Sequence, residues 1–404
     1  MSVVRSPSLE TDLADGDFAK APSPRYESVD LVRGAVIVLM VLDHVRDFFG
    51  DVTIRPTDLA TTTTALFFTR WITHYCAPTF IFLAGLGAYL SMIRGKSRRE
   101  LSYFLFTRGL WLIFLEVTVI RIGLTFDPTY RFIPLIVFWA IGMSMVVLSA
   151  LVFLPTWLVG LFGVVLIAGH NAFDGVGAQQ SGAVGALVTI LHRPGLLAVI
   201  GGRMIFCLYP LIPWVGVMAA GYALGTVFRL EPARRRRILL GLGLTLIALF
   251  VGLRTSNVYG DPKPWAQQVS PVFTALSFIN CEKYPPSLLY LLMTLGPMLV
   301  GLALADRSPG RVGRVLVTLG RVPLFFFVLQ WYVLHVSAIV IALVMGKPAL
   351  WLVGNGPFEP PPGYGYSLAF VYVMWVVTLA MMYPACAWFA EVKRRRRDAW
   401  LSYL

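Results

Sequence analysis

Apolar runs long enough to cross a bilayer recur from one end of the 404-residue chain to the other. A hydrocarbon core roughly 30 Å thick takes about 20 apolar residues per helical crossing. Inside it, every backbone N–H and C=O must find its partner within the protein, which restricts such runs to helices. The chain is 57% hydrophobic and 14% charged, against about 25% charged in ordinary soluble domains. The fold class expected is all-α, a polytopic transmembrane helical bundle. Ten spans are expected near 30–49, 71–92, 104–124, 132–152, 156–171, 204–228, 238–255, 285–305, 321–345 and 366–390. The stretch 182–203 has room for a re-entrant helix or an eleventh span.

Charge orients this map. Alternate connections carry Arg94, Lys96, Arg98 and Arg99, then Arg229 and Arg234 to Arg237, then Arg307, Arg311 and Arg314, then Lys393 and Arg394 to Arg397. With Arg5, Lys20 and Arg25, that side holds 20 Lys and Arg, and the other holds nine. The positive-inside rule then places both termini in the cytoplasm. The same asymmetry explains the net charge of +13 with no need for nucleic acid. The arginine clusters suit contact with anionic membrane lipids, or docking of a phosphorylated donor. Residues 1–25 read as a disordered cytoplasmic tail, 26–392 as the membrane domain and 393–404 as a basic cytoplasmic tail. The first 25 residues lack a hydrophobic core segment, so no cleavable signal peptide is expected. The long connections 172–203, 256–284 and 347–365 all fall on the outer side. Cys76, Cys207, Cys281 and Cys386 show no metal-ligand spacing, and no metal is expected.

One helix breaks the apolar pattern. Asp43, His44, Arg46 and Asp47 lie in the first span, where ionisable groups are costly and usually kept for handling ions, protons or substrates. Arg33 and His44 are eleven positions apart, about three turns, so they share a helix face. Asp30 and Asp47 lie three positions outside each and extend that stripe. His44 near the outer end of span one and His74 at the start of span two are candidate acid–base groups, because imidazole titrates near neutral pH. His170 and His192 are expected to cap helices or to bond backbone carbonyls, and His335 is open between that and a site. Glu116 and Arg121 are expected to form a buried pair or to pack helices. Gly85, Gly87, Gly216, Gly221 and Gly225 mark close helix contacts.

Three stretches carry a resemblance. They are Arg25-Tyr-Glu-Ser-Val-Asp-Leu-Val-Arg-Gly34, Met40-Val-Leu-Asp-His-Val-Arg-Asp-Phe-Phe49 and His74-Tyr-Cys-Ala-Pro-Thr-Phe-Ile-Phe-Leu-Ala-Gly85. Together with residues 209–225 and 283–297, they resemble the heparan-α-glucosaminide N-acetyltransferase family, most closely its bacterial members of unknown function. The similarity runs over about residues 25–390. A fainter one, carried by Arg33 and His44 with ten residues between them, is to the acyltransferase-3 family. The resemblance implies a multi-pass enzyme of a bacterial inner membrane. It would take an acetyl or other acyl group from cytoplasmic acetyl-CoA to a carbohydrate or lipid-linked sugar acceptor on the far side, as a monomer or a homo-oligomer. The chain departs from the family's human-type members. His44 stands where they have an Asn, His74 where they have an Asp, and residues 45–73 hold no histidine where they carry the catalytic one.

On this reading His44 is the general base or a transient acyl carrier, and Asp43 or Asp47 orients its imidazole. Arg33 and Asp30 sit at the cytoplasmic mouth, where Arg33 meets donor phosphate, and His74 is the alternative base. The rival expectation is a proton-coupled transporter or exporter of a small molecule, which would use the same polar stripe.

Overall fold

The structure, a computed structural model, describes residues 26–51, 53–175, 182–306, 310–358, 360–396 and 398–403. The tail 1–25, Arg307 and Arg397 lie outside them. Long apolar helices account for most of the chain. Seven are long and apolar enough to cross a membrane: α2 (Thr64–Ile93), α3 (Arg98–Thr125), α5 (Thr156–Phe173), α7 (Leu211–Arg229), α8 (Pro232–Ser256), α12 (Pro323–Val344) and α13 (Leu368–Arg395). All seven coincide with spans expected from the sequence. The other three expected spans are present as helices of different character. α1 (Glu27–Phe49) has 23 residues but carries the polar stripe. α4 (Val137–Leu151) has 15 residues and α10 (Leu288–Leu304) has 17. The outward faces of the long helices are apolar: Leu161, Val164 and Val165 of α5 and Leu244 and Val251 of α8 are exposed. An apolar exterior around polar interior groups is the arrangement of a protein solvated by lipid.

The sequence understates the variety of structure between the spans. Residues 182–203 hold α6 (Gly182–Leu191), ten residues and too short to cross, followed by strand β2 (Gly195–Ile200). Together with β1 (Phe132–Leu135) and β3 (Arg203–Cys207) it forms a three-stranded sheet in the order β1-β3-β2. β1 runs parallel to β3, with Phe132 opposite Met204, and β2 antiparallel to it. The bundle is therefore predominantly, not wholly, helical. The span expected at 132–152 begins as strand because Glu116 stops the helix there. Its carboxylate accepts the N–H groups of Ile136 and Phe138, both at 2.6 Å, capping the start of α4. Glu116 and Arg121 do not pair. Arg121 instead donates to Asp127 at 2.9 Å. The connection 256–284 contains α9 (Pro271–Ile279), whose first turn is capped by Ser270.

α1 lies at the centre, packed against α2, α10, α12 and α13 and against α11 (Arg311–Gly320), an amphipathic helix that precedes α12. The α1–α11 contact is backbone on backbone. A Cβ at Gly34 would lie 1.9 Å from the Leu316 carbonyl oxygen, and one at Gly320 would lie 1.8 Å from that of Asp30. Glycines do the same between α2 and α7, where Gly85 faces the Met218 carbonyl and Gly221 that of Phe82. Gly87 makes no such approach and instead lines a cavity.

Candidate active site

The polar stripe of α1 faces a cavity of about 700 Å³. Arg33, Met40, Asp43, His44, Arg46 and Asp47 all reach its wall, as the three-to-four-residue spacing requires. At a rise of 1.5 Å per residue, the cavity follows α1 for about 20 Å between Arg33 and Asp47. α2, α3, α4 and α12 supply most of the remaining wall, through Ala84, Leu112, Met145, Phe327 and other apolar side chains. The result is a long passage with an apolar middle and a polar group at each end.

At one end stand Arg33, Arg108, Arg321 and Lys393, brought from four helices or helix ends. Asp30 does not reach the wall. It is buried beneath Arg33 and accepts from its Nη1 at 3.1 Å. The same nitrogen donates to the Gly320 carbonyl at 3.3 Å. The close approach of α1 and α11 is what puts that carbonyl within reach. Asp30 thus orients Arg33 from behind the cavity wall.

At the other end, the two carboxylates expected to flank His44 are held by arginines. Asp43 accepts from Arg46 at 3.0 Å and, through its second oxygen, from Arg70. Asp47 accepts from Arg46 at 2.6 Å. The imidazole is positioned by aromatic rings: its centroid lies 4.2 Å from Trp331 and 5.9 Å from Phe327, both of α12. His44 Nδ1 is buried, and so are both amide atoms of Gln330, next to Trp331 in sequence and within reach of the His44 side chain. Lys283 and Tyr284 complete this end. Their segment is anchored by Asp261, which accepts from Ser287 Oγ at 2.7 Å and from the Glu282 N–H at 2.9 Å. Burial pushes the Asp261 carboxyl above its usual range.

His74 sits elsewhere. The 3₁₀ turn Ile72–Tyr75 within α2 presents Thr73 to the cavity, and Cys76 and Ala77 follow it there. His74 turns the other way, with its ring buried 5.4 Å from that of Tyr290. Its carbonyl accepts from the Tyr290 hydroxyl at 2.7 Å. His335 lies with its two ring nitrogens against the carbonyls of Gly123 and Leu352, at 3.0 and 3.2 Å, a backbone-bonding role.

Arg70, Lys283, Tyr284 and Trp331 were not singled out from the sequence. Arg70 and Lys283 counted as charges of outer connections. Lys283 and Tyr284 open residues 283–297, one of the stretches that carry the family resemblance, but no role was read from them, since they arrive from more than 200 residues away.

The family model described as heparan-alpha-glucosaminide N-acetyltransferase, catalytic, matches residues 25–259, more than half of the chain. The chain belongs to this family. No curated protein matches it. The matched region runs from α1 into the connection after α8 and contains Arg33, Asp43, His44, Asp47, Arg70 and Arg108. Lys283, Tyr284, Phe327, Trp331 and Lys393 of the cavity wall come from the part of the chain beyond the match. As a member of this family with apolar helices of spanning length, the protein is an integral membrane protein of acetyltransferase type.

Proposed function

We propose that the protein moves an acetyl or other acyl group from acyl-CoA on the cytoplasmic side to a sugar or related envelope acceptor on the other side. The observation that carries this reading is the continuous cavity along α1, with four cations at one end and His44 at the other. Guanidinium groups match phosphate oxygens geometrically, so the Arg33–Arg108–Arg321–Lys393 end suits the phosphates of the donor. A long, unbranched pantetheine arm suits the apolar middle. The excess of Lys and Arg, 20 against nine, supports ten spans, cytoplasmic termini and a cytoplasmic Arg33 end. The resemblance to bacterial members of the family supports the inner membrane of a bacterium as its place.

At the His44 end, the neutral imidazole takes the proton of the acceptor's hydroxyl or amine as that group attacks the thioester carbonyl. The carbon–sulfur bond breaks, and the imidazolium returns its proton to the departing thiolate. Base catalysis of this kind contributes about 10²–10⁴-fold. Arg46, Arg70 and Lys283 surround the acceptor's position, and Trp331 holds the ring. Asp43 and Asp47 act one step removed, by fixing the arginines. His74, facing Tyr290, is left with a packing role.

Thermal stabilisation of the purified protein by CoA thioesters tests the donor, since a ligand stabilises the state it binds. Arg33→Ala should weaken the shift more than Arg395→Ala. Equal weakening would indicate non-specific charge attraction. Absence of any shift, with small-molecule flux into proteoliposomes, would favour a transporter.

A further inference from the structure

A second polar cluster lies away from the cavity, where α5 ends. His170 begins the 3₁₀ turn His170–Phe173, and Asp174 follows four positions later, on the same face. His192, just after α6, folds back onto them. One nitrogen or oxygen from each of His170, Asp174 and His192 lies within 4.8 Å of the other two. His192 Nε2 is 3.0 Å from Asp174 Oδ1. His170 is 1% exposed, yet neither of its ring nitrogens has a hydrogen-bond partner among the described residues. His192 Nδ1 is buried and unpartnered as well.

Among the described residues, these histidines therefore neither cap a helix nor bond a backbone carbonyl. A His192–Asp174 ion pair alone accounts for two of the three side chains. It leaves a buried imidazole with both nitrogens unsatisfied among the described residues, which is costly. A cation resolves this. Two imidazoles and a carboxylate are a usual ligand set for zinc, whose bonds to such atoms are about 2.0–2.2 Å long. The surroundings supply outer support of the kind that orients metal ligands. Asn171 Nδ2 donates to the other Asp174 oxygen at 2.9 Å, and Asn171 Oδ1 accepts from the Leu288 N–H at 2.8 Å.

We propose that His170, Asp174 and His192 bind a divalent transition metal ion, zinc by ligand type, which staples α6 and the end of α5 to the start of α10. Through Asn171 and Leu288 the ion braces the segment that carries Lys283 and Tyr284 into the cavity. The site is independent of the acyl-transfer reading, because its ligands lie outside the cavity wall.

The test uses the tag-free full-length protein in detergent, stripped with chelator and titrated with Zn²⁺ by calorimetry and with Co²⁺ by visible absorption. The expected result is one ion per chain, visible Co²⁺ ligand-field bands and a higher Tm with Zn²⁺. His170→Ala and His192→Ala should each lose about 100-fold or more in affinity, beyond the 10–100-fold that outer-shell changes cost. Asp174→Asn, at a side chain 28% exposed, keeps the test open if a histidine variant fails to fold. It should weaken binding and alter the Co²⁺ spectrum. Absence of stoichiometric binding in the unaltered protein, or undiminished binding in all three variants, would overturn the proposal.

Discussion

His44 illustrates how one side chain's chemistry depends on what surrounds it. The carboxylates of Asp43 and Asp47, one and three positions from it in sequence, are drawn off by Arg46 and Arg70, and the ring rests on Trp331 instead. The side chain lines the cavity, where the imidazole can meet a reacting molecule. His44→Ala should therefore lower acetyl release from labelled acetyl-CoA by about 10²–10⁴-fold while leaving the size-exclusion profile and the donor's thermal shift intact. His44→Asn should not restore turnover, since an amide is no base. Near-normal turnover in either variant would remove His44 from the chemistry. Arg70 makes a different prediction. Its removal strips one of two partners from a nearly buried Asp43, and Arg46 remains. Arg70→Ala should cost about 1.5–3 kcal/mol, read as a lower Tm, and Arg70→Lys should recover only part of it because the lysine lacks the planar fork. An unchanged Tm in Arg70→Ala would mean that Arg46 alone satisfies the carboxylate.

Between elements, the contact that matters most for the cavity is that of α1 with α11. Gly34 and Gly320 let the two backbones touch, and this contact sets Arg33 beside the Gly320 carbonyl. A methyl group at Gly34 would meet Leu316 backbone, not a flexible side-chain end. Gly34→Ala should force the helices apart at a cost of about 1–3 kcal/mol and reduce stabilisation by acyl-CoA. Gly301→Ala is the control. It sits within α10, where an added methyl group would find nothing within 4 Å, and helix propensity makes the change neutral or mildly favourable. Equal Tm losses in the two variants would show that the α1–α11 contact is not special. The π-turn at Glu116–Ile120 is a second decision at this scale. Glu116 opens it and caps the start of α4, and the residues just before that start, expected as part of a span, are strand.

At the scale of the whole molecule, sidedness is the property that the proposed reaction needs. The four cysteines of the chain are all free and buried, so an impermeant thiol reagent has little background. Cysteines introduced at Ala60 and at Leu350, both exposed, should label in intact cells. One at Val312, 74% exposed, should label only after permeabilisation. Protection at both 60 and 350 would invert the topology and move the Arg33 end of the cavity to the outside.

Much of the architecture is legible in the sequence because bilayer thickness translates directly into run length. Seven expected spans match long apolar helices for that reason, and the costly charges of α1 point to the cavity by residue type alone. Periodicity along one helix also suffices to put Arg33 and His44 on a common wall. Partners are another matter. Asp43 is within reach of both His44 and two arginines, and only the packing of α2 against α1 brings Arg70 close enough to take it. His74 reads as a base by residue type, but the direction of a single 3₁₀ turn sends it to Tyr290. Gly34 is an ordinary glycine in the sequence, and only the docking of α11 gives it a reason. His170 and His192, 22 positions apart, share no context until the chain between them folds back through α6. Pattern within a segment follows from local geometry that every residue carries with it. Contact between segments depends on how whole surfaces fit, and that is settled by the tertiary structure.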